Sequence, residues 1–148
     1  MQVTIPKPAP IAPTDSFLQE LAAAANAVDP EGNGFVSVVL SVGGQTVSGM
    51  LTSGRAFFEA QHRACAAAGG DATLREAVVE ACAEFRDRYP ARSDAAKERP
   101  ADPAYLHLKG AQFFANGVLP MPANGMWWRV KISSVDGFSI GTMGASVQ

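Results

Sequence analysis

Apolar and polar residues alternate near the C-terminal end of the chain, and this pattern predicts a strand. The alternating positions are Trp128, Arg129, Val130, Lys131, Ile132 and Ser133. A period of two is typical of a strand with one buried and one exposed face. Asp136 and Gly137 then indicate a turn into a second short strand containing Phe138 and Ile140. We expect this β-ribbon, residues 127–141, to be the centre of a small sheet.

A second alternating pattern predicts a β-hairpin earlier in the chain. The first strand covers residues 35–42 and the return strand covers residues 45–52, with Gly43 and Gly44 as the tight turn between them. Gly49 lies on the same face as the apolar residues of the return strand. A glycine there allows a sharp bend or the close approach of another backbone. We therefore expect a strongly curved hairpin.

Three helices are predicted around these strands. The first begins near Ser16, where Ser16 and Gln19 fit a capping box, and ends before Pro30. A helical insertion, residues 55–89, follows the hairpin. It contains helix 56–68, a break at residues 69–70 and a second helix that starts with a capping box at Thr73 and Glu76. That second helix is marked by an apolar stripe over three turns, which consists of Leu74, Val78, Ala81, Cys82 and Phe85.

The remaining segments complete the predicted organisation. Residues 1–14 form a proline-rich tail, residues 90–103 a polar loop, residues 104–115 a strand, and residues 144–148 a loose tail. The fold class is α+β, a single domain over residues 15–143. Its sheet is small, strongly bent and antiparallel, with an N-terminal helix and the helical insertion between strands two and three. By analogy we expect an Sm-like or SH3-like barrel, which by itself carries no function.

Composition narrows the functional classes. The chain has 148 residues, 47% of them apolar, and a net charge of −2. This balance gives no overall attraction to nucleic acid or to an anionic membrane. No apolar run is long enough for a membrane helix, and the N-terminus does not resemble a signal peptide. We expect a cytoplasmic protein in which Cys65 and Cys82 are buried thiols rather than a disulfide.

Candidate catalytic chemistry is sparse. His62 and Cys65 share a helix face, but two ligands without a second pair make a poor zinc site. His107 is expected on a solvated strand face. The sequence contains no nucleophile elbow, no G-x-G-x-x-G after a strand and no phosphate loop. These observations predict a protein without enzymatic activity, metal or cofactor.

Binding is better supported. If Trp128 faces the core, Trp127, Arg129 and Lys131 face outward, and exposed aromatic and arginine side chains are typical of interfaces. Together with His107 and Lys109 they form the candidate contact face. One alternative is that Trp127 packs under residues 116–125. Two further hypotheses are a nucleic-acid site on the same face and a small-molecule pocket, the latter lined by Phe57, Phe58 and Phe85.

Three segments resemble the gas vesicle accessory protein U family in order and spacing. They are VVLSVGGQTVSGMLTSGRAFF, PAYLHLKGAQFF and LPMPANGMWWRVKISSVDGFSIG. The positions that carry the resemblance are Gly43, Gly44, Gly49, His107, Leu108, Lys109, Trp128, Arg129, Ile132, Gly137, Phe138 and Gly141.

The resemblance implies a non-enzymatic cytoplasmic accessory protein that acts at the gas vesicle surface. Its implied role is the assembly or clustering of gas vesicles, the protein-walled flotation organelles of some bacteria. The implied partners are the vesicle shell protein or another accessory protein. We expect binding without a cofactor and in an oligomeric form.

Overall fold

The computed structural model describes residues 3–5, 14–92, 102–115 and 118–143. These ranges contain three α-helices and one five-stranded sheet, so the predicted α+β class is correct. The elements are α1 (Ser16–Val28), β1 (Val36–Val42), β2 (Gln45–Thr52), α2 (Gly54–Ala66), α3 (Ala72–Asp87), β3 (Tyr105–Phe114), β4 (Met121–Lys131) and β5 (Gly137–Ile140). Most of the predicted N-terminal tail, residues 93–101 of the predicted loop, residues 116–117 and the tail 144–148 lie outside the described residues.

The sheet is antiparallel throughout and open. Its strand order is β4-β3-β2-β1-β5, which makes β4 and β5 the edges within the described chain. The structure thus shows a five-stranded sheet and not the closed barrel that the analogy suggested. The β1–β2 hairpin follows the prediction. Gly43 and Gly44 form its turn with φ values of 57° and 81°, a backbone region that glycine adopts without steric cost.

The predicted β-ribbon at residues 127–141 is wrong. β5 pairs with β1, with Phe138 opposite Leu40, instead of folding back on β4. A 3₁₀ turn, Ile132–Ser134, follows β4 and buries Ile132. Asp136 then binds the β1–β2 hairpin: its backbone N–H donates to the Ser41 carbonyl at 2.8 Å, and its carboxylate accepts from the Gly43 N–H at 3.1 Å. These contacts direct the chain across to the far edge of the sheet.

The apolar core lies between α1 and one face of the sheet. Its buried members are Leu18, Ala22, Val38, Leu40, Val47, Leu51, Leu106, Leu108, Ala111, Val130 and Ile132. Trp128 packs against this cluster, so the predicted facing of β4 is confirmed. The N-cap of α1 is Asp15 and not Ser16, because the Asp15 carboxylate accepts from the N–H groups of Phe17 and Leu18 at 2.8 and 3.2 Å.

Helices α2 and α3 lie on the opposite face of the sheet. α2 contacts the sheet through Phe57, which is buried, whereas α3 packs on α2 and buries no residue completely. The apolar stripe of α3 is in large part exposed: Leu74 and Val78 are 69% and 50% exposed. α2 separates α3 from the sheet, so only the side of α3 that faces α2 is covered.

The predicted cap of α3 and the predicted burial of the two cysteines also differ from the structure. α3 is capped by the Asp71 carboxylate rather than by Thr73. Cys65 and Cys82 are free thiols, as expected, but each is only half-buried. Burial, followed by the neighbouring Cys65, raises the pKa of the Cys82 thiol. Both thiols therefore lie at the interface of α2 and α3 and not in the main core.

A buried carboxylate joins α1, the turn after it and β2. Asp29 is 5% exposed and ends α1. Its two oxygens accept from the Asn33 N–H at 2.8 Å, the Gly34 N–H at 2.9 Å and the Thr52 hydroxyl at 2.7 Å. One turn earlier, the Asn26 side-chain oxygen accepts from the Gly54 N–H at 2.9 Å, the first residue of α2. These bonds fix the position of both helices relative to the hairpin.

We expect Asp29→Ala to lower the free energy of unfolding by about 2–4 kcal/mol, because it leaves three donors without an acceptor in a buried place. Thr52→Val should cost about 1–2 kcal/mol, since it removes one of the three bonds. Urea unfolding followed by circular dichroism measures both. Glu80→Ala, an exposed acidic position on α3, is the control. An Asp29→Ala variant as stable as this control would contradict the role assigned to the carboxylate.

Gly49 lies where β2 and β3 approach most closely. The pairing register shifts between Ser48 and Met50, and a Cβ on Gly49 would lie 3.2 Å from the Ala111 Cα and 3.3 Å from the Lys109 carbonyl oxygen. Strand β3 is paired on both sides. Its backbone therefore cannot move away without disturbing β4, which agrees with the predicted close approach at Gly49.

Gly49→Ala should destabilise the protein by about 1–3 kcal/mol through this overpacking. Gly137→Ala is the matched strand control, because a Cβ there meets no atom within 4 Å, and its effect should stay within about 0.5 kcal/mol. Chemical unfolding of the two variants in parallel tests the difference. Equal stability of both variants would show that the β3 backbone shifts to accommodate the added methyl group.

Candidate functional site

The candidate contact face lies on the side of β3 and β4 that faces away from the core. His107 stands opposite Arg129, and Tyr105 stands opposite Lys131. Because strand residues alternate between faces, Lys109 and Trp127 belong to the same side. Helix α2 covers part of this side. The candidate residues are consequently divided between an aromatic cluster under the helix and a groove beside it.

His107 lies in the aromatic cluster and is only 3% exposed. The ring centroids of Phe57, Tyr89 and Phe58 lie 5.2, 5.7 and 6.1 Å from that of its imidazole. The expectation of a solvated strand face is therefore wrong for His107. The alternation of β3 predicted which face His107 occupies, but not that α2 and the end of α3 would cover it.

Arg129 bridges the buried histidine and the surface. Its Nε donates to His107 Nε2 at 3.2 Å, and its guanidinium lies 3.6 Å from the Tyr105 ring centroid and 5.1 Å from that of Phe58. Burial, together with the positive charge of Arg129, lowers the pKa of His107 to about 3. The imidazole is therefore neutral at physiological pH, and its lone pair holds the guanidinium in place.

A groove of about 450 Å³, called here the Trp127 groove, opens beside the cluster. It lies between the turn after α1, one side of α2 and the two strands, and its lining residues are Pro30, Glu31, Gly32, Asn33, Arg55, Ala56, Glu59, Arg63, Lys109 and Trp127. Two of the five candidate contact residues, Lys109 and Trp127, thus share one concave surface. Lys131 is exposed on the neighbouring part of β4.

The floor of the Trp127 groove is built by close contacts at Gly32. The Lys109 ammonium donates to the Gly32 carbonyl at 2.9 Å and lies 5.7 Å from the Trp127 ring centroid. A Cβ on Gly32 would come within 2.7 Å of the Ala56 Cβ and 3.2 Å of the Trp127 ring. Trp127 therefore packs against the turn after α1, a contact that the alternative based on residues 116–125 did not include.

Ion pairs organise the α2 rim of the groove. Arg86 of α3 donates to the Glu59 carboxylate at 2.8 Å and to Asp87 at 3.0 Å, and Arg55 lies 3.6 Å from Asp87. The hydrogen bond from Arg86 lowers the pKa of Glu59. These three ion pairs are the ones formed within the described ranges. None of them includes Arg63, Lys109, Arg129 or Lys131.

The rings proposed to line a small-molecule pocket are in contact with one another. The centroids of Phe57 and Phe58 lie 5.1 Å apart, and those of Phe58 and Phe85 lie 5.3 Å apart. Phe58 also stacks on Tyr89 at 6.2 Å. This cluster packs α2 and α3 onto β3, so its rings serve as packing and not as the wall of an open space.

The other positions of the resemblance have structural roles. Trp128 packs edge-on against Phe113 with ring centroids 5.0 Å apart, and Phe138 stacks on Phe17 of α1 at 5.6 Å. Gly137 begins β5, while Gly43 and Gly44 form the hairpin turn. These residues shape the sheet that carries the candidate contact face.

The geometry of this face does not identify the family of the chain, and a comparison with family models does. A family model described as gas vesicle protein GvpU-like matches residues 15–143. The chain belongs to this family. The match covers every helix and strand described above, and it confirms the resemblance drawn from the three sequence segments. Comparisons with curated proteins and with solved structures gave no match.

Membership makes this a gas vesicle-associated protein. Within the described ranges, none of the helices has the length and apolar character needed to cross a membrane. The same ranges contain no group of three or more histidine, cysteine, aspartate or glutamate side chains arranged to hold a metal ion.

Sequence reasoning missed several residues that build the site. Tyr105 and Tyr89 complete the setting of Arg129 and His107, and Asp29 holds the turn that supports Trp127. An aspartate at a helix end followed by Asn33 and Gly34 is typical of a side chain that binds nearby backbone N–H groups. That signal was present in the sequence. The approach of Tyr89 to His107 depends on helix packing and had no local signal.

The buried His107 predicts a specific pH dependence of stability. Its pKa is about 3 in the folded protein against an ordinary value of 6.5, so the unfolded state binds more protons between these values. The contribution of His107 to the free energy of unfolding should be constant above pH 6.5. It should fall as the pH is lowered toward 3, by up to about 1.4 kcal/mol per pH unit for one proton. Urea unfolding at a series of pH values measures the slope.

His107→Gln should reduce that slope, although the lost ring packing will also lower stability at neutral pH. His62→Gln removes the only other histidine and is the matched control. A slope that is the same in His107→Gln as in the unmodified protein would contradict the assignment to His107.

Proposed function

We propose that this protein is a non-enzymatic accessory protein that promotes gas vesicle assembly or clustering by binding other proteins. The observation that carries the proposal is the family match over residues 15–143. Its partners are the vesicle shell protein or another accessory protein, and its place of action is the cytoplasm, at the vesicle surface. Binding involves neither membrane nor nucleic acid.

The proposed contact face consists of Trp127, Arg129, Lys131, Lys109 and His107. Lys131 is exposed, and Trp127 and Lys109 line an open groove, which supports their direct contact with a partner. Arg129 reaches this face from between two aromatic rings. His107 acts indirectly in this proposal: it is buried and holds Arg129 in position. Tryptophan and arginine are enriched among residues that dominate binding energy.

The state of His107 also supports a role without catalysis. Burial lowers the pKa of His107 to about 3, and groups with strongly shifted pKa values are candidates for acid–base chemistry. Its imidazole, however, lies beneath aromatic rings and accepts a bond from Arg129. A substrate would have to displace α2 to reach it.

Self-association belongs to the same proposal. β4 is eleven residues long and forms one edge of the sheet, and an unpaired edge offers backbone donors and acceptors to a second strand. The exposed side chains of Met121 and Met126 lie along this edge. Light scattering at several protein concentrations reports whether the chain forms oligomers.

Trp127→Ala combined with Lys131→Glu should reduce co-purification of gas vesicle proteins by about tenfold or more, because loss of an interface anchor typically costs more than 1 kcal/mol. The measurement is quantitative recovery of vesicle proteins on the tagged chain from cells that make gas vesicles. Clustering of isolated vesicles, followed by light scattering, is the second readout.

The control for this experiment is Val78→Ala combined with Arg75→Glu on α3, which truncates an exposed apolar side chain and makes the same change in charge away from the contact face. Lys131→Glu alone guards against loss of folding, since Lys131 is exposed. If the Trp127 and Lys131 variant remains folded and recovers the same amount of vesicle protein, the contact face is wrong. If the unmodified chain recovers none, the proposed function is wrong.

A further inference from the structure

The charge on the contact face is opposite to that of the whole chain. The chain has a net charge of −2. Four basic residues nevertheless gather on and beside the Trp127 groove without a carboxylate within ion-pair distance in the described ranges; they are Arg63, Lys109, Arg129 and Lys131. Of the two acidic residues that line the groove, Glu59 is paired with Arg86, and Glu31 belongs to none of the ion pairs of the described ranges.

Lys109 is the most firmly placed of these cations. One N–H of its ammonium donates to the Gly32 carbonyl at 2.9 Å, and the Trp127 ring lies beside it. An ammonium has three N–H donors, so two remain for a ligand in the groove. Because the side chain is already held in place, binding an anion there costs little additional rotamer entropy.

Arg129 is a second cation held in place before any partner arrives. The neutral imidazole of His107 occupies its Nε donor, and the Tyr105 ring supports its plane at 3.6 Å. A planar guanidinium carries five N–H donors, so its remaining donors are free to form paired bonds with a carboxylate. Arg63, on α2, adds a third positive charge at the rim.

We propose that the Trp127 groove binds an acidic segment of a protein partner, whose carboxylates contact Lys109 and Arg63 while an apolar part of the segment packs on Trp127. This inference rests on the proposed function and specifies the chemistry of its partner. The charge complementarity of an acidic segment and an uncompensated basic groove also accelerates encounter.

A peptide fits this groove better than a nucleic acid does. Glu31 and Glu59 line the same surface as Lys109 and Arg63. A nucleic acid carries a phosphate at every nucleotide, so some of its charges would face these two carboxylates. A peptide can place its acidic residues opposite the cations and neutral residues opposite the glutamates.

Binding of a fluorescently labelled poly-glutamate peptide to the full chain, measured by anisotropy, tests the proposal. We expect saturable binding that weakens with added salt and is absent for the poly-glutamine peptide of equal length. Arg63→Glu with Lys109→Glu should weaken binding by about tenfold, because each change replaces an attraction with a repulsion of similar size. Arg75→Glu on α3 is the charge-matched control.

Two further variants keep the test decisive. Lys109 also supports the Gly32 turn, so its reversal affects folding as well as charge. Arg63→Glu alone avoids this, since Arg63 is exposed and its side chain forms no hydrogen bond or ion pair with the described residues. It should weaken binding several-fold. Lys109→Gln retains a donor for the Gly32 carbonyl and should also weaken binding.

Three results would overturn the proposal. They are equal binding of poly-glutamate and poly-glutamine, equal loss in Arg63→Glu and in the Arg75→Glu control, and tighter binding of an oligouridylate than of poly-glutamate at the same salt concentration. The last result would make the groove a nucleic-acid site.

Failure of this inference and failure of the proposed function give different results. If Arg63→Glu with Lys109→Glu loses poly-glutamate binding but still recovers vesicle proteins, the groove is not the partner site and the accessory function stands. If the unmodified chain binds poly-glutamate but recovers no vesicle protein, the accessory function fails.

Discussion

The carboxylate of Asp29 and the three groups that donate to it determine how the two faces of the sheet are used. The bonds from Asn33 and Gly34 fix the turn after α1, and the bond from Thr52 connects that turn to the end of β2. Because α2 starts two residues after Thr52, the same carboxylate also sets where the second helical layer begins. A buried charge is stabilising only when it is fully hydrogen-bonded, and here both oxygens have donors.

The candidate site depends on the hydrogen bonds to the Asp29 carboxylate. The turn held by Asp29 presents the Gly32 carbonyl to Lys109 and the bare Gly32 Cα to Trp127. α2, placed by the same joint, covers His107 and leaves the groove beside it open. The sheet thus has an apolar face that supplies stability through α1 and a mixed aromatic and basic face that is half covered. The Trp127 groove lies on the part of this face that α2 does not cover.

Local patterns predicted which residues form strands and helices, and they predicted less of how those elements meet. The alternation of β4 correctly assigned Val130 and Ile132 to the core. The same kind of alternation could not indicate that α2 covers His107, because burial of a polar face depends on a distant helix. The alternation of Phe138 and Ile140 also did not indicate which strand β5 pairs with. A strand of four residues can pair with β4 or with β1, and the 3₁₀ turn after β4 directs it to β1. Asp15 and Asp71 are the caps instead of Ser16 and Thr73, because their carboxylates accept from N–H groups in the first turns of α1 and α3.

The pairing of β5 with β1 affects when the domain can complete its folding. β1 belongs to the first hairpin of the domain, while its outer neighbour is the last strand. During synthesis β1 therefore stays without its β5 partner until the other described elements of the domain have been made. Ring stacking between Phe17 and Phe138 joins the same two ends. Contacts between distant parts of a chain slow folding, so the sheet is completed late. A nascent chain that stalls before β5 carries an open strand edge into a crowded cell.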